Sequence, residues 1–494
     1  MNDDEKTNGN ENGKQVTPEE KTSVTSHELV VDGRTLRYTA TAGTVVLKEE
    51  VEEDGKVEGE KAKATVFYVA YTLDDVEDPS ERPLTFSFNG GPGSSSVWLH
   101  LGVLGPRRVE MEGEMGALPR PPFRLIDNKH TLLKHSDLVF IDPVTTGYSR
   151  PVPGEKSNEF HDFEKDLQSV GEFIRLYTTR AARWTSPKFL IGESYGTTRA
   201  AGLSNYLQER HGMYFNGLML VSSILNFQTA YFHPGNDMPA ILFLPTYTAT
   251  AYFHERLDDD LQQRPLREVL EEVEEFALGD YTLALMQGAA LPAERREEIA
   301  QRVARYTGLS PEYVERSDLR VEIFRFTKEL RRDEGLTVGR LDSRYTGADR
   351  DSVGEHFEYD PSYAAIQGPY TATLNDYMRR ELQFESDLPY EILTDRVRPW
   401  SYKKFQNAYV NVAEPLRKAM NTNPYLQVLV ANGFFDLATP YLATEYTFNH
   451  LGLPAGREDD IRMTYYEAGH MMYLHGPSLA QLGEDLGAFV EETK

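Results

Sequence analysis

A chain of 494 residues that is 40% hydrophobic and 11% aromatic carries enough apolar material for a large folded core, unlike a disordered polypeptide. Its 78 acidic residues outnumber 52 basic ones, and the net charge of −26 repels nucleic-acid phosphates and anionic lipid surfaces, so neither is expected as a partner. The absence of cysteine removes disulfides, thiolate metal sites, iron–sulfur clusters and a cysteine nucleophile in one step.

The opening stretch, MNDDEKTNGNENGKQ, has neither the basic start nor the apolar core of a signal peptide. No run approaches the ~18 apolar residues of a bilayer span. Together with the missing cysteines, this gives an expectation of a cytoplasmic protein. Residues 1–25 are polar and are expected to form a disordered acidic tail. From Glu28 the segments LVVDGRTLRYTATAGTVVLKEE and ATVFYVAYTL alternate at period two around Asp-Gly, which predicts antiparallel strands. The acidic run at 49–60 between them reads as a solvated hairpin tip.

Short apolar runs follow, each leading into a turn: Leu84–Phe88, Asp137–Ile141, Phe189–Ile191, Leu218–Val221, Gln427–Val430 and Met463–Tyr466. Runs of this kind fit strands buried on both faces of a parallel sheet. Between two of them, Phe160, Phe163, Leu167, Val170, Phe173, Ile174 and Tyr177 recur at helical spacing. Strand–helix alternation predicts an α/β fold with a mostly parallel sheet. The charged helical patterns from 228 to 395 interrupt it. They predict a largely helical cap inserted between the sixth and seventh strands, dividing the core into 26–227 and 396–494.

The strongest chemical signal is Gly192-Glu193-Ser194-Tyr195-Gly196, placed after a strand and before a helix. A G-x-S-x-G turn lifts its serine into a cleft, and the helix start behind it supplies free N–H groups. A serine hydroxyl needs a base. His470 follows the strand MTYY in a small-residue turn, whereas His475, before Gly-Pro, reads as a helix-start residue. Asp436 lies between the two in chain order, past the strand QVLV, and suits an orienting acid; the alternative is a cap for the following helix. The loop Asn89-Gly90-Gly91-Pro92-Gly93-Ser94-Ser95-Ser96 has unobstructed amides for an oxyanion, with the Tyr195 N–H as a second donor. A phosphate loop is disfavoured because no Lys-Ser/Thr follows the glycines. No motif calls for a metal or organic cofactor.

NGGPGSSS, GESYG, the NGxxD turn at 432–436 and GHM at 469–471 together resemble the serine carboxypeptidases, acid-active peptidases on the α/β-hydrolase fold. The likeness spans roughly residues 28–494. It implies a Ser194–Asp436–His470 triad and oxyanion amides at Gly91 and Tyr195. It also implies that Asn89, the Gly90 amide and Glu193 hold a substrate's C-terminal carboxylate, and that Met471 lines the leaving-residue pocket. The implied reaction is hydrolysis of the C-terminal peptide bond through an acyl-enzyme, on peptides with a free C-terminus. An acyltransferase, a general esterase and a non-catalytic scaffold are the alternatives.

The sequence departs from the family pattern in two places. Ser94 stands where the family usually has cysteine. Val103 stands where it commonly has a second glutamate, paired with the one before the nucleophile. Arg107 and Arg108 follow that position and offer a cationic substitute, or serve as structural arginines.

Overall fold

The computed structural model describes residues 18–494. Its centre is a mixed sheet whose strands are β1 (Thr22–Val31), β2 (Arg34–Glu53), β3 (Lys56–Leu73), β4 (Leu84–Phe88), β5 (Asp137–Ile141), β6 (Lys188–Ser194), β7 (Gly217–Ser223), β8 (Gln427–Gly433) and β9 (Ile461–Tyr466). They lie side by side in the order β1-β2-β3-β5-β4-β6-β7-β8-β9, and the short strand Arg150–Pro151 also pairs with β3. β1, β2 and β3 are antiparallel, and β5 joins them antiparallel to β3. From β5 onward every neighbour is parallel.

Side-chain alternation explains why both faces are covered. Leu138, Phe140, Phe189, Ile191, Met219, Val221, Leu429 and Ala431 enter one apolar core. Val139, Ile141, Leu190, Leu218, Leu220, Val428 and Val430 enter the other. Successive residues of a strand point to opposite faces, so a continuous apolar run supplies both. The second core is closed by helices α1 (Phe163–Arg180) and α2 (Tyr195–His211). Asp162 starts α1 by accepting the N–H groups of Glu164 and Lys165.

A third apolar cluster belongs to the insertion. It gathers α3 (Met238–Phe253) with the helices Leu266–Phe276 and Ala293–Thr307, and borrows Phe435, Leu437 and Tyr441 from the later chain. The layered architecture is the α/β-hydrolase fold.

Three expectations change in detail. Residues 1–17 of the expected tail lie outside the described residues. Residues 22–25 are not tail but strand: β1 begins at Thr22, paired with Gly43, because the long β2 offers backbone partners to a segment with Val24 and Thr25 at its start. The Asp32-Gly33 turn divides the first strand segment in two, which puts the insertion between the seventh and eighth labelled strands. Finally, the stretch 361–392 is not part of the cap's core. Helix α4 (Pro361–Arg380) sets Ile366, Tyr370, Leu374 and Tyr377 into the first sheet core, with Leu382, Phe384 and Ile392 behind it.

Candidate active site

Ser194 ends β6 and precedes the first turn of α2, with φ 60° and ψ −130°. A non-glycine residue is rarely found there, and such backbone strain is concentrated at functional turns. Both flanking glycines are needed. A Cβ on Gly192 would collide with the carbonyl of Gly196, and one on Gly196 would press on the Phe88 carbonyl. A Cβ on Gly90 would likewise meet the backbone N of Tyr195, so the glycine loop and the start of α2 are in direct contact. Arg199, buried and paired with Asp166 at 2.8 Å, also donates to the Asn89 carbonyl at 2.7 Å and ties that loop to α2.

Asp436 and His470 come together from the ends of β8 and β9. Gly433 allows the two loops to touch, since a Cβ there would strike the Ala468 and Gly469 backbone. The Phe435 N–H donates to the Ala468 carbonyl at 3.0 Å. His470 Nδ1 lies 2.7 Å from Asp436 Oδ2. The other oxygen, Oδ1, accepts the N–H groups of Ala438 (2.7 Å) and Thr439 (3.0 Å), and the Thr439 hydroxyl donates to Oδ2 at 2.6 Å. Asp436 therefore closes its own turn with one oxygen and faces the imidazole with the other. Burial opposes protonation of His470, but the Asp436 carboxylate and Glu193 outweigh it and leave its pKa raised. His475 stands just before the last helix, α5 (Gly476–Thr493), with its ring Nδ1 2.8 Å from the Ser478 hydroxyl.

One segment of the insertion, residues 341–344, braces the histidine loop at two points. The His470 N–H donates to the Leu341 carbonyl at 2.6 Å. Asp342 accepts the Gly469 N–H at 3.1 Å and is itself held by Arg344 at 2.7 Å.

Glu193 is 3% exposed and burial pushes its carboxyl up to about 7. Nearby His470 and donors from Tyr473 and Asn89 act against that rise. Asn89 Nδ2 donates to Oε1 at 2.9 Å and the Tyr473 phenol donates to Oε2 at 2.6 Å. Tyr473 was not singled out in the sequence. It fits because Gly102 has no side chain: a Cβ there would collide with the Tyr473 ring. The only sequence signal is the small residue beside Val103, where the second carboxyl is missing. Val103 itself is fully buried in the first sheet core. Arg107 and Arg108 do not replace it. Arg107 pairs with Asp127 and Glu381, Arg108 donates to Val109 O, and neither lines the cavity below.

Gly90, Gly91, Glu193, Ser194, His470 and Met471 line one cavity of about 240 Å³. Asn89 and Tyr195 lie behind its wall, buried. Trp98, Leu341, Tyr363 and Ile366 form apolar parts of it, and Arg340, Asp395 and Arg398 the charged parts. Arg340, like the other lining residues outside the motifs, carries no mark in the sequence; it comes from the insertion, where no motif surrounds it. Among the described residues no cluster of metal-ligating side chains is present.

An elbow serine, a histidine–aspartate pair and a buried glutamate on an α/β-hydrolase sheet define the class, and the sequence comparison agrees. The chain belongs to the serine carboxypeptidase family, whose model matches residues 52–474. Serine carboxypeptidase-like 5 of Arabidopsis thaliana is 29% identical over 141 residues, which cover 28% of this chain and 30% of that protein. Serine carboxypeptidase-like 13 of the same plant is 26% identical over 186 residues, covering 35% and 41%. The matched stretches thus span less than half the length of these curated relatives. Among solved structures, the prohormone-processing carboxypeptidase Kex1Δp of Saccharomyces cerevisiae superposes with a TM-score of 0.54 at 16% identity, over 91% of this chain and 92% of that one.

Proposed function

We propose that the protein is a serine carboxypeptidase that hydrolyses the C-terminal bond of peptides. The observation that carries this reading is the 2.7 Å His470–Asp436 pair opening onto the same cavity as Ser194 and the buried Glu193. In this reading His470 Nε2 takes the Ser194 proton as Oγ attacks the last peptide carbonyl, and Asp436 holds the ring and stabilises its cation. The amides of Gly91 and Tyr195 receive the oxyanion. His470 then protonates the leaving amine, and water attacks the acyl-enzyme by the same route.

Recognition of the substrate's carboxylate falls to Asn89, the Gly90 amide and Glu193, with Met471 against the leaving residue. A protonated Glu193 donates to that carboxylate, whereas an ionised one repels it. Its pKa, pushed up to about 7, supports this role, because the carboxyl is then a donor at pH values below 7 where an ordinary glutamate is ionised.

The test is release of the terminal amino acid from N-blocked dipeptides, comparing free-acid with amidated substrates. Release from free acids, absent with Ser194→Ala and weak for amides, is the expected result. Equal cleavage of amides and free acids, or activity surviving Ser194→Ala, overturns the reading.

A further inference from the structure

The cavity holds a charge that the proposed reaction leaves unused. Arg340 is fixed in its wall by its backbone. Its N–H donates to Asp360 Oδ1 at 3.2 Å, and its carbonyl accepts the Leu437 N–H at 3.1 Å. The neighbouring Leu341 carbonyl holds the His470 N–H. The side chain is another matter. Among the described residues the Arg340 guanidinium has no hydrogen bond, ion pair or ring contact, although the residue is half-buried.

The other charged groups nearby each have a protein partner, and of these pairs only Asp395–Arg398 is solvent-exposed. Arg398, the second arginine of the wall, pairs with Asp395 at 2.7 Å. Arg344, on the same segment as Arg340, grips Asp342 and donates to the Glu467 carbonyl. Glu193 has one oxygen occupied by Asn89 and the other by Tyr473. A guanidinium is a planar fork of five donors that matches a carboxylate, and the one on Arg340 is unspent by the protein. Trp98, Tyr363, Ile366 and Met471 line the same cavity, and an ion pair is stronger where apolar groups exclude water. The charge of Arg340 is also felt at His470, where it opposes protonation of the ring.

We propose that Arg340 is a specificity-determining residue: its guanidinium pairs with the side-chain carboxylate of an Asp or Glu flanking the scissile bond of the peptide. The proposal rests on the peptidase reading above. There the substrate's α-carboxylate already has Asn89, the Gly90 amide and Glu193, and the acidic side chain is the anion left for Arg340.

The experiment uses N-blocked dipeptides in matched Glu and Gln pairs, one series varying the last residue and one the penultimate residue. The intact chain is compared with Arg340→Gln and Arg340→Lys. At one of the two positions, kcat/KM should favour Glu over Gln by about tenfold or more, the effect of one charge-assisted pair. Arg340→Gln should bring that ratio close to one, and Arg340→Lys should restore part of it. A ratio near one in the intact chain at both positions overturns the proposal. So does a ratio untouched by Arg340→Gln, or an equal loss on Glu and Gln substrates, which would put Arg340 on the α-carboxylate or in a structural role. If no dipeptide is cleaved, the peptidase reading fails, and the pocket is probed without turnover. N-acetylglutamate and N-acetylglutamine are then compared for protection of Ser194 against a phosphonylating probe. Stronger protection by the acid, lost in Arg340→Gln, supports the charge pairing; equal protection overturns it.

Discussion

The phenol of Tyr473 donates to Oε2 of Glu193 at 2.6 Å, giving that glutamate the partner that Val103 does not supply. A hydroxyl differs from a second carboxyl in one respect. It donates at all ordinary pH, since burial raises the Tyr473 phenol well above its usual range. The hydrogen bond therefore favours the ionised form of Glu193 and restrains the upward shift caused by burial.

Tyr473→Phe removes that restraint. The Glu193 pKa should rise from about 7, by roughly one unit if the lost bond to the charged form is worth about 1.5 kcal/mol. For free-acid peptides the falling limb of the kcat/KM–pH profile should move to higher pH by that amount, with amides and esters unaffected. A limb that stays in place would show that Tyr473 does not tune Glu193.

The sign of the pH dependence follows from the two groups together. Glu193 must be protonated to donate, so peptidase kcat/KM should fall as pH rises through about 7. His470 must be neutral to act as base, so activity also falls on the acid side. Glu193 contributes to the raised His470 pKa while ionised, and once protonated it no longer does. The imidazole then stays neutral further into the acid range. Glu193→Gln should abolish the falling limb near 7 for free-acid substrates, measured as paired profiles of peptide and ester hydrolysis.

Ser194→Gly separates stability from turnover. Turnover should drop on the order of 10⁶-fold, as for other triad serines. Relief of the strained φ 60° geometry should at the same time stabilise the fold by about 1 kcal/mol, after allowance for the flexibility of glycine. Denaturant unfolding of Ser194→Gly beside Ser194→Ala checks this; equal stability of the two would argue against stored strain.

Gly102→Ala places a methyl where the Tyr473 ring lies. The ring must shift from Glu193, while Ser194, His470 and Asp436 keep their own supports. The expected outcome is a rise in KM of several-fold or more for free-acid peptides, with ester kcat nearly retained. Titration of free-acid against amide substrates measures it.

The sequence made legible what depends on short chain segments. Ser194 ends a buried strand, Asp436 and His470 follow strands within a few residues, and the glycines around them mark turns that a Cβ would block. That local chemistry is visible without coordinates. Tyr473 and Arg340 depend on distant chain segments instead. Tyr473 reaches Glu193 only because Gly102, 371 positions earlier, leaves room for its ring. Arg340 reaches the cavity because Asp342 and Leu341 bind the loop that carries His470. The start of β1 depends on distant context in the same way: a polar segment becomes a strand when a long neighbour supplies its hydrogen bonds. Helix α4 lies within the insertion by chain position, yet its apolar stripe packs into the first sheet core.

Ser94 occupies the position where the family usually carries cysteine, and its hydroxyl accepts from Trp98 Nε1 at 2.8 Å and donates to the Ile392 carbonyl at 3.3 Å. Hydrogen bonds hold this junction, and the whole chain contains no sulfur that can be oxidised to a crosslink. No disulfide can therefore form or break as the protein passes between air and reductant. Any cysteine introduced by mutation is also the only thiol present. Met286 on the cap and Tyr425 beside the sheet are 77% and 82% exposed, so a pair of thiol-attached labels at those positions would report the cap-to-sheet distance with no background to subtract.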